Sequence, residues 1–118
     1  MGIVLTLLLS GQATYYDAGV MEQVVANRIA WGQVVPCPAC LGYVALLDPD
    51  MLGQRVWLRR PGRASEGPYL VTDCAAAGHR EALHRRGWAV DVDWRTAQRW
   101  GMRGPVPIEV LVLEEPER

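Results

Sequence analysis

The sequence predicts an all-β fold, a closed barrel of six strands with one or two short helices. The first observation is the length, because 118 residues suffice for one domain with one core. The second is that 12 Gly and 8 Pro divide the chain into short segments, as turns between strands do. The third is that these segments are apolar and β-branched. Six such strands with helical connections fit a small barrel better than a sandwich.

Six segments are expected to form the strands: 12–16, 42–46, 55–59, 69–72, 88–92 and 108–113. The apolar segment 1–10 is either an extension of the first strand or the remnant of an export leader, and it is too short to span a membrane. The barrel domain is expected to cover residues 11–114. A charged tail, 115–118, follows it.

Two helices are predicted between the strands. The first runs from Trp94 to about Trp100, because Asp93 can cap its N-terminus and Gly101 can end it. The second lies within residues 79–86. Both interrupt the β pattern as short connections between strands.

Charge argues against a nucleic-acid partner. The net charge is −1 and the chain contains no Lys, so a broad basic face is not expected.

Several segments, taken in order, resemble rare lipoprotein A and expansin domains and the related three-aspartate wall hydrolase domain. Residues 11–16, Gly-Gln-Ala-Thr-Tyr-Tyr, are similar to the motif that opens the first strand of those domains. Residues 42–49 and 52–56 resemble their "ala-val-asp-pro" and "leu-gly-thr-lys-val" stretches. Residues 71–73 resemble the strand that ends in Asp, and residues 89–93 resemble their "ile-asp-leu-ser" signature.

This resemblance implies a double-psi β-barrel that is secreted or located in the cell envelope and acts on wall polysaccharides. It implies Asp91 as the catalytic carboxyl, Asp73 as its partner, and Thr14 and Tyr16 as groove residues. Ala89 stands where expansins place a His, although rare lipoprotein A domains also have an apolar residue there.

The position of both Asp residues is compatible with acid–base chemistry. Asp73 and Asp91 each follow an apolar strand segment, where partial burial would raise the pKa of a carboxyl group. The alternative is that they cap turns at strand ends. Asp93 is better explained as a helix cap and Asp48 as a turn residue.

The leading functional expectation is lytic transglycosylase-like cleavage of peptidoglycan glycan strands. The alternatives are a non-catalytic polysaccharide-binding module and a structural barrel within a larger assembly, so enzymatic activity stays open. The expected partner is wall glycan, the expected state is a monomer, and no cofactor is expected.

Aromatic residues near the expected groove are candidates for stacking on sugar rings, because Trp and Tyr combine an apolar face with a polar edge. These candidates are Tyr15, Tyr16 and Trp88. Trp57, Trp94 and Trp100 are expected in the core.

Three cysteines are expected to give one disulfide and one free thiol in an exported protein. The favoured pairing joins Cys74 to Cys37 or Cys40. The alternative is a zinc site formed by Cys37, Cys40, Cys74 and His79. A single CxxC motif is a weak zinc signal, so no metal is predicted.

Overall fold

A computed structural model describes residues 4–114, and six strands dominate it. The strands are β1 (Val4–Tyr15), β2 (Gly42–Leu46), β3 (Arg55–Arg59), β4 (Glu66–Cys74), β5 (Trp88–Val92) and β6 (Val106–Glu114). They form a closed barrel in the order β1-β5-β2-β4-β3-β6. The predicted all-β class with six barrel strands is confirmed. The predicted bounds of β2, β3 and β5 agree with the structure, whereas β1, β4 and β6 are longer than expected.

Within residues 4–114, three short α-helices connect the strands, rather than the one or two expected. They are α1 (Val20–Ala30), α2 (Arg80–Arg85) and α3 (Trp94–Trp100). The bounds predicted for α3 are correct, α2 lies within its predicted range, and α1 was not predicted. Within residues 4–114, none of the helices is both long and apolar enough to cross a membrane.

Strand β1 includes most of the apolar N-terminal segment. Its pairing with β6 begins at Val4, which lies opposite Glu114. The boundary expected between residues 10 and 11 therefore falls inside one continuous strand. Residues 1–3 and the charged tail 115–118 lie outside the described residues.

The barrel contains both parallel and antiparallel pairs of neighbouring strands. β1 is parallel to β5, and β2 is parallel to β4. The other four neighbouring pairs are antiparallel. Parallel neighbours require long crossover connections, which is why helical segments lie between the strands.

The main core fills the barrel with side chains from all six strands. Its most deeply buried large members are Tyr69, Leu46, Leu58, Val90 and Val110. Trp100 packs against this core, whereas Trp57 and Trp94 are partly buried. A smaller cluster, formed by Met21, Val25 and Ala45, lies under α1.

Two carboxylates have the structural roles expected of them. Asp93 caps α3, since its Oδ1 accepts a hydrogen bond of 2.8 Å from the backbone N–H of Thr96. Its Oδ2 accepts another, of 2.9 Å, from the N–H of Tyr43. Asp48 begins a short 3₁₀ turn by accepting from the N–H of Asp50. Both predictions are confirmed.

The disulfide joins Cys37 to Cys40, and Cys74 is a free thiol. The expected pairing of Cys74 with Cys37 or Cys40 is therefore wrong. The two bridged residues lie in one tight turn, where the N–H of Cys40 donates to the carbonyl of Cys37 and the Cα atoms are 5.4 Å apart. The alternative Cys37, Cys40, Cys74, His79 zinc site is also wrong, because a disulfide removes two of its thiolates.

Gly11 lies where β1 approaches the turn before β5. The N–H of Gln12 donates a 2.7 Å hydrogen bond to the carbonyl of Gly87. A Cβ at Gly11 would collide with that carbonyl oxygen and lie 3.2 Å from the Cβ of Ala89. A side chain at this position would therefore push β1 away from β5.

We expect Gly11→Ala to lower the free energy of unfolding by about 1–3 kcal/mol, as over-packing of a close contact does. Urea unfolding monitored by Trp fluorescence measures it. Gly78→Ala is the matched control, because a Cβ at Gly78 meets no described atom within 4 Å. Equal stability of the two variants would contradict the role given to Gly11.

Candidate functional site

A groove of about 610 Å³ opens beside β1 and β5. This volume lies in the range typical of small-molecule sites. The barrel supplies Gln12, Thr14, Tyr16, Ala45, Trp88 and Asp91 to its walls and floor. The end of β4 and the segment after it, together with α2 and the loop before β6, supply Cys74, Ala75, Ala76, His79, Leu83, Arg86 and Pro105.

Strand register explains why these polar residues meet. Thr14 of β1 is the partner of Asp91 on β5, Asp91 is the partner of Ala45 on β2, and Ala45 is the partner of Asp73 on β4. Paired residues on adjacent strands project from the same face of a sheet. With about 4.8 Å between neighbouring strands, the Cα atoms of Asp91 and Asp73 are separated by about 10 Å. The small side chain of Ala45 leaves the space between them open.

Asp91 is held by a two-step hydrogen-bond chain. The indole N–H of Trp88 donates to Oγ1 of Thr14 over 2.7 Å, and the hydroxyl of Thr14 donates to Oδ1 of Asp91. A threonine hydroxyl has a single proton, so accepting from Trp88 directs that proton to Asp91. Oδ2 of Asp91 receives no hydrogen bond from the residues that the structure describes. One oxygen is thus fixed, and the other is available to a ligand.

Burial raises the pKa of Asp91 to about 6. The indole N–H of Trp88 acts in the opposite direction, because a nearby donor favours the ionised form. The negative charge of Asp73 adds a further increase. About half of the Asp91 carboxyl groups are then protonated at a pH equal to this pKa. Such a group can donate and accept a proton close to neutral pH.

Asp73 has a different environment. Its Oδ2 accepts a 2.5 Å hydrogen bond from the hydroxyl of Tyr16, and its Oδ1 forms a 2.8 Å ion pair with Arg28 of α1. Asp73 is not among the described residues that line the groove. Burial, followed by the hydrogen bond to Asp73, raises the pKa of Tyr16 above its usual range, so Tyr16 remains a hydrogen-bond donor.

The structure places four of the predicted site residues together in the groove: Thr14, Tyr16, Trp88 and Asp91. Asp73 lies next to this group through its bond with Tyr16. Tyr15 does not line the groove in the described part of the chain. It packs against Trp94, with ring centroids 5.7 Å apart, because neighbouring residues of a strand project to opposite faces.

The sequence did not identify Arg28 or seven of the residues that line the groove. Those seven are Gln12, Ala45, Ala75, Ala76, Leu83, Arg86 and Pro105. Gln12 could have been found from strand alternation, since it is two residues before Thr14. Ala45 could have been identified only from the pairing of β2 with β5. Arg28 belongs to the helix that was not predicted, so the sequence carried no signal for its contact with Asp73.

Three side chains of the groove, those of Cys74, His79 and Asp91, are of types that bind metals in other proteins. Within residues 4–114, no group of three or more His, Cys, Asp or Glu side chains is arranged to hold a metal ion.

The fold and the groove together define a small closed β-barrel with a half-buried carboxyl group exposed to a groove. Comparisons of the chain with protein-family models, with curated proteins and with solved structures find no match. The likeness to rare lipoprotein A and expansin domains therefore rests on the sequence motifs alone.

The raised pKa of Asp91 predicts how stability depends on pH. The unfolded carboxyl has a pKa near 4, so between about pH 4 and 6 the folded protein binds more protons than the unfolded one. The stability that protonated Asp91 contributes is fully present below about pH 4, and it is lost as the pH rises through about 6.

We therefore expect Asp91→Asn to stabilise the protein at pH 7.5 and to have little effect at pH 3.5. The upper limit is about 3 kcal/mol, and solvent screening of this partly exposed group reduces the expected gain to about 1–2 kcal/mol. Urea unfolding at both pH values measures it. Asp73→Asn is the control, since loss of its ion pair should destabilise the protein at pH 7.5. If Asp91→Asn destabilises at both pH values, Asp91 is a structural residue.

Proposed function

We propose that the protein cleaves peptidoglycan glycan strands by a lytic transglycosylase-like reaction, with Asp91 as both the acid and the base. The observation that carries this proposal is a half-buried carboxyl group in a groove, with one oxygen held by Thr14 and the other receiving no hydrogen bond within residues 4–114. The motif resemblance supports wall glycan as the substrate. It also supports a location in the cell envelope or outside the cell.

The first step needs a proton at the leaving group. The protonated carboxyl of Asp91 donates it to the glycosidic oxygen as the bond between that oxygen and C1 breaks. Positive charge then develops on the sugar ring, as in glycoside cleavage generally. The carboxylate of Asp91, which is ionised after it has donated its proton, faces that charge.

The second step closes the new ring and restores the enzyme. The carboxylate of Asp91 removes the proton of the sugar's 6-hydroxyl. At the same time the oxygen of that hydroxyl bonds to C1, which forms a 1,6-anhydro sugar. Asp91 is again protonated, and no water is consumed. One carboxyl suffices for both steps when its pKa lies near the working pH, which burial of Asp91 provides.

Two aromatic residues line the groove together with this carboxyl. Trp88 is held by its hydrogen bond to Thr14, and Tyr16 by its bond to Asp73. Side chains fixed in this way lose little conformational entropy when a ligand binds. Their rings are suited to contact sugar faces.

One observation favours the second candidate, a polysaccharide-binding module without catalysis. Asp73 is engaged by Arg28 and Tyr16 and does not line the groove in the described residues, so a second free carboxyl does not accompany Asp91. Ala89, at the position of the expansin His, is fully buried. Binding without cleavage would use the same groove and the same aromatic residues.

We expect Asp91→Asn to abolish the release of anhydro-ended products from peptidoglycan while glycan pull-down stays near the wild-type level. Loss of a positioned acid or base lowers the rate by about 10²–10⁴-fold. Asp73→Asn should reduce activity less, because Asp73 acts through Tyr16 and through its charge. Mass spectrometry of the released glycans measures the products.

Asp17→Asn is the matched control, because Asp17 is exposed and does not line the groove. Its activity should equal that of the wild type. A wild-type protein that binds glycan and releases no anhydro ends would replace the catalytic proposal with the binding-module candidate.

A further inference from the structure

Arg28 forms the most shielded ion pair among the described residues. The side chains of Arg28 and Asp73 are 20% and 19% exposed, whereas those of Arg59 and Glu109 are 40% and 38% exposed. Charge pairs that are less accessible to water and salt interact more strongly. The same guanidinium donates a 2.7 Å hydrogen bond to Gln33, which fixes it at the end of α1.

The partner of this pair is electrostatically connected to the groove. Asp73 lies one strand beyond Ala45, which separates it from Asp91, and its negative charge acts on the carboxyl of Asp91. Arg28 contributes a positive charge 2.8 Å from Asp73. The net charge that Asp91 faces on the side of Asp73 therefore depends on whether Arg28 is present.

We propose that Arg28 is a positioning residue of the Asp91 site: through its ion pair with Asp73 it sets the charge that Asp91 faces across Ala45. The pair also gives Tyr16 an oriented acceptor, which holds this ring in the groove wall. The catalytic consequence rests on the proposed function, whereas the electrostatic link can be tested without any glycan.

Other titratable groups also surround the carboxyl of Asp91. They are Tyr16 after β1, Cys74 on β4, His79 before α2, and Arg86 after α2. His79 and Arg86 are exposed, so solvent weakens their effect on Asp91. Tyr16 stays protonated, as described above. Asp73 and its partner Arg28 are therefore the charges through which a substitution should act most directly.

Charge-changing variants test the proposal. In Arg28→Gln, Asp73 faces Asp91 without its counter-charge, and the pKa of Asp91 should rise above its wild-type value. In Asp73→Asn, Arg28 faces Asp91 without its partner, and the pKa of Asp91 should fall below its wild-type value. Arg28→Lys retains the charge and should leave the pKa near its wild-type value.

The experiment is a ¹³C NMR titration of the Asp91 carboxyl in the free protein, for the wild type, these three variants and the double variant Arg28→Gln/Asp73→Asn. Because the charges of Arg28 and Asp73 act on Asp91 in opposite directions, removing both should bring the pKa of Asp91 closer to the wild-type value than removing either one alone. An unchanged pKa in folded Arg28→Gln overturns the proposal. If Arg28→Gln does not fold, the absence of a decrease in Asp73→Asn overturns it.

Activity at several pH values separates this proposal from the proposed function. If the titrations behave as expected and the wild type releases no anhydro ends, the catalytic function fails and the link between Arg28 and Asp91 stands. If anhydro ends form, the pH profile of Arg28→Gln should shift upward together with the pKa of Asp91, and that of Arg28→Lys should not. A loss of activity in Arg28→Gln without a shift of the profile indicates a purely structural residue and overturns the proposal.

Discussion

The parallel pairing of β1 with β5 places Thr14 beside Asp91, and the groove depends on this register. The pairing requires a close approach of the two segments at Gly11, where a Cβ would collide with the carbonyl oxygen of Gly87. It also brings the indole of Trp88 to Thr14, so that the threonine proton is directed to the carboxyl. A change of register by one residue would turn Asp91 to the other face of the sheet.

The two acidic residues near the groove, Asp73 and Asp91, have different environments. Asp73 is engaged by the guanidinium of Arg28 at 2.8 Å and by the hydroxyl of Tyr16 at 2.5 Å. Asp91 receives one hydroxyl and lies in a partly desolvated position, which favours its neutral form. Ionised Asp91 therefore costs stability at neutral pH, and the same environment makes its proton available for chemistry. Differences of this kind between neighbouring carboxyls are typical of acid–base sites.

Local sequence patterns predicted some of the helices and site residues, but they did not predict the contacts between residues that are distant in the chain. Asp93 and Gly101 predicted α3 because capping signals act over a few residues. Helix α1 was not predicted because Gly19 begins it without a side-chain cap, although Met21 and Val25 have helical spacing. The cysteine pairing was wrong because sequence does not determine connectivity. The contact between Arg28 and Asp73 joins residues 45 positions apart, so only the folded chain reveals it.

The most direct test of the central claim follows the oxygen atoms during cleavage of purified glycan strands in ¹⁸O-labelled water. If the carboxyl of Asp91 directs the sugar's own 6-hydroxyl to C1, the new ends are 1,6-anhydro sugars that contain no ¹⁸O. Mass spectrometry of the released fragments distinguishes these ends from hydrolysed ones. New reducing ends that carry ¹⁸O, or the absence of new ends from strands that the protein binds, would contradict the account.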